Sequence, residues 1–192
     1  AFPAITAAFD IDVSQIQWVV VSFVLTYSVL LLPAGRLGDR YGHGRIMVVG
    51  IVTQGAAFVA CGLAPSFALF LLARVSQGAA MALILGTAPA LVTLSVTEER
   101  QPRALGIYSM LSASGLAVGA PLGGLLLQRW DWPCVYFFRI PYMGVLLVTA
   151  LIAGLHKQTQ SRGRQPLDLV GAATFAMGLG LTLFVASRGL TW

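Results

Sequence analysis

Charged side chains are scarce in this chain, so the few that interrupt its apolar runs carry most of its possible chemistry. The densest group is Gly35-Arg36-Leu37-Gly38-Asp39-Arg40-Tyr41-Gly42-His43-Gly44-Arg45, with four glycines, one carboxylate and three arginines. Glycine lets a backbone turn sharply and lets two helix ends approach. Asp39 stands just ahead of an apolar run, where a helix N-terminus favours a carboxylate, and arginines lie within pairing reach. As a charge cluster alone, this is a tight basic turn.

A second group is buried in apolar sequence: Leu72-Ala73-Arg74-Val75-Ser76-Gln77-Gly78. Arg74 lies about eight residues beyond Pro65-Ser66, roughly 12 Å along a helix axis at 1.5 Å per residue. A charge at such depth in a membrane costs about 2.5–3.5 kcal/mol on insertion scales and ordinarily faces a partner or a watery cavity. Gln77 and Gly78 follow at i+3 and i+4, so a helix places all three on one face. The bland alternative is an arginine that snorkels to the interface along its stem. A third group is made of small residues: Gly106, Gly115, Gly119, Gly123 and Gly124, with Pro121 among them. Gly115, Gly119 and Gly123 recur every four residues and form a stripe where another helix can pack closely. Pro121 frees a carbonyl and bends the helix locally.

No catalytic or metal constellation competes. His43 and His156 stand in hydrophilic connections without Cys or carboxylate at ligand spacing. Cys61 and Cys134 sit inside apolar stretches and read as small core residues. There is no G-x4-G-K-[ST], so ATP-driven transport has no support, and no carboxylate lies well inside an apolar run. No metal or cofactor is expected.

These groups need elements to hold them. The chain has 192 residues, 57% hydrophobic and 10% charged, with a mean hydropathy of +0.83. Soluble domains carry about 25% charged residues, so an ordinary water-soluble enzyme is excluded. The net charge of +5 is confined to short clusters between apolar runs, which argues against a nucleic-acid partner. A membrane helix needs about 20 apolar residues. Runs of that kind predict spans over 15–35, 46–64, 67–95, 104–128, 134–155 and 168–188, here numbered second to seventh. Ala1–Phe9 is expected to be the end of a truncated first span, making the chain a fragment. Alternating barrel strands do not fit runs that are apolar all round.

Lys and Arg favour alternate connections: Arg36, Arg40 and Arg45; then Arg100 and Arg103; then Lys157, Arg162 and Arg164. By the positive-inside rule, the loops 36–45, 97–103 and 156–167 are therefore cytoplasmic. The expected organisation is an N-terminal transmembrane domain over 1–156, a cytoplasmic linker over 157–167 and a further helix over 168–192. It is an all-α polytopic bundle surrounded by lipid.

The order G-x-L-x-D-R-x-G-x-x-R, at Gly35, Leu37, Asp39, Arg40, Gly42 and Arg45, resembles the loop between the second and third helices of the major facilitator superfamily of transporters. His43-Gly44 stands where that family often has a second basic residue. Arg74, Gln77 and Gly78 resemble the R-x-x-Q-G element of its drug:proton antiporters. The glycine stripe resembles their G-x8-G-x3-G-P-x-x-G-G motif, with Ala120 inserted before Pro121. Gln17-Trp18, Trp130-Asp131-Trp132, Asp168-Leu-Val-Gly171 and Gly189-Leu-Thr-Trp192 resemble the fourteen-span group of EmrB/QacA type.

This resemblance implies a gating role for the 35–45 turn and a proton-coupling role for Arg74. It also implies a proton-driven exporter of small amphipathic compounds in the plasma membrane, completed by a missing C-terminal half. The alternatives are a carrier for a defined metabolite or self-made antibiotic and, from other classes, a membrane-embedded enzyme or a non-transporting scaffold. An intramembrane enzyme lacks its nucleophile or metal set. A scaffold gives no reason for Arg74 at depth.

Overall fold

The computed structural model describes residues 2–157. The expected seventh span and all but the first residue of the 157–167 linker lie outside the described residues. The described residues form helices α1 (Phe2–Phe9), α2 (Val13–Tyr41), α3 (His43–Gly62), α4 (Phe67–Leu94), α5 (Gln101–Arg129), α6 (Cys134–Phe137) and α7 (Arg139–Ile152). Short 3-10 turns cover Glu98–Arg100 and Leu155–Lys157, and there is no strand among the described residues. Five segments, with α6 and α7 counted as one, are long and apolar enough to cross a membrane. The fold is a transmembrane helix bundle.

Helix ends follow local chemistry. Asp12 precedes α2, and its amide donates to Gln15 Oε1 at 3.1 Å, half of a capping box. Ser66 precedes α4, with its hydroxyl accepting from the Leu69 amide at 3.4 Å. Pro102 lies in the first turn of α5, where a missing N–H costs nothing. The expected sixth span is divided at Phe138. Pro141 has no N–H to donate to the Phe137 carbonyl, so α6 stops there and α7 resumes.

One expected boundary is corrected. The 36–45 segment is not a loop: α2 continues through Arg36, Gly38, Asp39 and Arg40 to Tyr41, and α3 begins at His43. The first arginine ends the apolar run but not the helix, which leaves the lipid and runs on for more than a turn. The whole reversal falls on Gly42, at φ 97° and ψ 124°. That backbone shape is open to glycine and strained for any residue with a Cβ. Asp39 therefore lies in the last turn of α2, not ahead of α3.

The packing order is α2, α4, α3, α7. Helices α2 and α4 run parallel. Helix α3 runs antiparallel to α4, with Cys61 opposite Gln77 and Gly50 opposite Ala80 and Ile84. Its other side meets α6 and α7, where the Phe137 ring rests on Gly62 and Arg139 lies over the Phe58 ring at 5.4 Å. At the end of the bundle away from Gly42, Phe9, Phe67, Phe70, Trp132 and Tyr136 pack together. Phe70 meets Trp132 and Tyr136 edge-on at 5.5 and 5.8 Å, and Phe9 meets Trp132 at 5.4 Å. Such tilted contacts are the favoured aromatic geometry.

Candidate functional site

The seam between α2 and α4 holds Arg74 and Gly78 and reaches Gly35. Arg74 Nε donates to the Val19 carbonyl at 2.9 Å, and its NH1 donates to Gln77 Oε1 at 2.6 Å. The guanidinium also covers the Phe23 ring at 4.7 Å, within cation–π range. Arg74 thus has a backbone acceptor, a side-chain acceptor and an aromatic face, which together offset the cost of a partly buried charge. The Gln77 side chain is 3% exposed, and Cys61, wholly buried, brings its Sγ to 3.9 Å from the same Oε1. The expected shared face of Arg74, Gln77 and Gly78 is present: Arg74 and Gly78 meet α2, while Gln77 lies between Arg74 and Cys61 of α3.

Gly78 sets how close the two helices come. A Cβ built there would lie 2.6 Å from the Phe23 carbonyl oxygen and 2.9 Å from Thr26 Cβ. Two turns further, a Cβ on Gly86 would lie 2.9 Å from the Leu31 carbonyl oxygen and 3.0 Å from the Gly35 nitrogen. Arg74–Val19, Gly78–Phe23 and Gly86–Leu31 are each 55 residues apart, so the two helices keep one register along the seam. Gly78, Ala82 and Gly86 form the small stripe that permits it, with Ala82 fully buried. In sequence this stripe is a Gly-x3-Ala-x3-Gly run, less conspicuous than the glycines of α5. The Val19 carbonyl has no signal in sequence, since any residue there supplies one.

At its other end the seam reaches the α2–α3 reversal. Gly35 abuts the Gly86 backbone, with its Cβ position 3.5 Å from the Gly86 oxygen. Asp39 Oδ1 accepts from His43 Nε2 at 3.1 Å, and Arg40 lies over the Tyr41 ring at 5.3 Å. Arg45 points elsewhere: its Nε donates to the His156 carbonyl at 3.1 Å, tying the start of α3 to the chain just beyond α7. Leu37 is half-buried on α2. The turn and the Arg74 cluster are therefore two ends of one helix pair.

The α5 stripe is not part of that seam. A Cβ on Gly106, Gly115, Gly119, Gly123 or Gly124 would meet no described atom within 4 Å, and Pro121 is exposed. Among the described residues no group of three His, Cys, Asp or Glu is placed to hold a metal.

Comparison with known proteins agrees with this architecture. The family model described as Major Facilitator Superfamily matches residues 1–192. The chain is 32% identical over 190 residues to the multidrug resistance protein Stp of Mycobacterium tuberculosis, covering 98% of this chain and 35% of that protein. It is 34% identical over 186 residues to the lincomycin resistance protein of Streptomyces lincolnensis, covering 96% of this chain and 38% of that protein. With the cephamycin export protein CmcT of Amycolatopsis lactamdurans it shares 35% over 191 residues, covering 98% of this chain and 39% of that protein. The chain thus spans well under half the length of these relatives. It is an integral membrane protein of a transporter family. Matched along its whole length, the chain belongs to the major facilitator superfamily.

Proposed function

We propose that the whole protein is a secondary active exporter of small amphipathic compounds, driven by inward proton movement across the plasma membrane. The observation that carries this reading is Arg74: a charge held deep in an apolar helix by Val19, Gln77 and Phe23, on the same helix pair as the α2–α3 turn. A charged group kept inside a membrane marks an ion or substrate pathway by default. In alternating access, helical bundles rock about a site near the midplane, and a continuous α2–α4 seam would carry movement at one end to the other as a rigid body. Arg74 with Gln77 and Gly78 is the proposed coupling group. Gly35, Leu37, Asp39, Arg40, Gly42 and Arg45 are the proposed cytoplasmic gate. The α5 residues Gly106, Gly115, Gly119, Pro121, Gly123 and Gly124 are the proposed contact with the C-terminal half. The α2–α3 turn and the segments 97–103 and 156–167 then face the cytoplasm.

A second reading, export of one self-made antibiotic, is favoured by the similarity to the lincomycin resistance and cephamycin export proteins. The test is accumulation of a lipophilic cationic dye in cells expressing the full-length carrier, with and without a protonophore. Export that stops when the proton gradient collapses supports the first reading. Export that persists sinks the coupling, and uptake sinks the direction. Transport of lincomycin or cephamycin without any dye movement would favour the second reading.

A further inference from the structure

Among the side chains of the α2–α3 turn that the gating motif does not use is His43. Its side chain is only 12% exposed, although it opens α3 at the very end of the bundle. The imidazole lies directly over Gly38 of α2, where a Cβ would overlap its Nδ1 and would stand 2.9 Å from its Cε1. The same Cβ would lie 3.0 Å from Thr87 Cγ2, so the ring fills a notch between α2, α3 and α4. Nδ1 is buried and has no hydrogen-bond partner among the described residues. At its other nitrogen, the ring's Nε2 stands 3.1 Å from Asp39 Oδ1, to which an N–H there donates.

Asp39 is the opposite kind of group. Its side chain is 68% exposed and sits in the last turn of α2. An exposed carboxylate paired with a free, flexible donor gains little, because both side chains lose entropy. Here the donor is already immobilised by packing on Gly38 and Thr87, so only the carboxylate must be ordered. The bond also joins two helices across Gly42, the point where the chain reverses. It fixes a side-chain direction and a helix–helix angle at once.

We propose that His43 is the positioning residue of the cytoplasmic gate: wedged over Gly38, it aims the Asp39 carboxylate and braces the α2–α3 angle. Gly38 is then glycine because the imidazole occupies the volume of its missing Cβ. This assignment rests on the reading of the turn as part of a transporter gate.

The experiment uses the full-length carrier with His43→Gln, His43→Leu, Asp39→Ala, Gly38→Ala, and the doubles Asp39→Ala/His43→Leu and Gly38→Ala/His43→Ala. Dye export is measured at equal surface expression, and melting temperature is measured in detergent. Gln places an amide nitrogen near the Nε2 position, whereas Leu fills the notch without a donor. His43→Gln should export within about twofold of wild type and His43→Leu about tenfold less, the worth of one hydrogen bond to a charged group. The double Asp39→Ala/His43→Leu should be no worse than either single change, as for residues acting as one unit. Gly38→Ala should lower the melting temperature, and adding His43→Ala should restore it. Wild-type export by His43→Leu, or equal losses in the Gln and Leu variants, would overturn the assignment. If the wild-type carrier moves no dye, the first reading of its function fails, and the melting-temperature cycle of Asp39 and His43 decides the positioning without any substrate. Coupled values support it, and additive ones overturn it.

Discussion

Arg74 Nε lies 2.9 Å from the carbonyl oxygen of Val19, 55 residues earlier in the chain. A side-chain donor on one transmembrane helix thus reaches the backbone of another. The Val19 carbonyl is already the natural acceptor for the Phe23 amide in its own helix, so Arg74 shares it rather than completing an orphan. What Arg74 gains is a fixed position: its planar fork meets Val19, Gln77 and the Phe23 ring together. Gly78, one turn on, allows α2 near enough for that reach.

Substitution of Arg74 separates charge from shape. Lysine keeps the charge but loses the planar fork and its stacking on Phe23. Arg74→Lys should therefore export dye at a reduced rate. Arg74→Ala should fall by more than about tenfold, since two charge-assisted bonds are lost. Rates normalised to surface expression check this. Export by Arg74→Ala equal to wild type would leave Arg74 no role beyond packing.

The glycines should divide into two classes by melting temperature. Gly78→Ala puts a methyl 2.6 Å from the Phe23 carbonyl oxygen, and Gly86→Ala puts one 2.9 Å from that of Leu31. Overpacking of this kind costs about 1–3 kcal/mol, because helix backbones rather than side chains must move. Gly55→Ala on α3 would only bring its methyl to 3.8 Å from Met143 Cβ, an ordinary contact, and should not lower the melting temperature. Equal losses at Gly78 and Gly55 would contradict the close α2–α4 seam.

The spans were legible from hydropathy because lipid demands long apolar helices whatever their neighbours. Their ends were less legible, since a charge such as Arg36 marks where lipid stops and not where hydrogen bonding stops. The polar face of Arg74, Gln77 and Gly78 could be read from its i, i+3, i+4 spacing. Its partners could not, because Val19 offers only a backbone oxygen and Phe23 looks like any apolar residue. The small stripe of α4 was present in sequence but masked by the more numerous glycines of α5. His43 was not legible, because a histidine in a basic turn gives no sign that its ring is buried over a glycine.

Orientation can be tested at two exposed positions. Gly44 is buried, so Tyr41, which is 50% exposed, is the better probe of the turn. In a background lacking Cys61 and Cys134, Ser66→Cys should react with an impermeant thiol reagent in intact cells, and Tyr41→Cys only after permeabilisation. The positive-inside rule places Arg36, Arg40 and Arg45 in the cytoplasm. Labelling of Tyr41→Cys alone in intact cells would invert the topology.

Arg45 provides a last prediction, at the start of the linker. Helix α7 ends at Ile152, Gly154 takes φ 69°, and Leu155–Lys157 form a 3-10 turn that brings the His156 carbonyl to Arg45 Nε at 3.1 Å. The last carbonyls of a helix have no partners within it, and a cationic donor beside them is favourable by charge as well as by hydrogen bonding. Arg45 should therefore hold the chain beyond α7 against α3. Arg45→Gln removes the charge, so the turn should open more often. In inside-out vesicles, trypsin should cut after Lys157 about fivefold faster in Arg45→Gln than in wild type, the equivalent of about 1 kcal/mol for one hydrogen bond. A cleavage rate unchanged by Arg45→Gln would mean that the α3–α7 packing alone, through Gly55 and Met143 and through Phe58 and Arg139, fixes where the linker leaves the bundle.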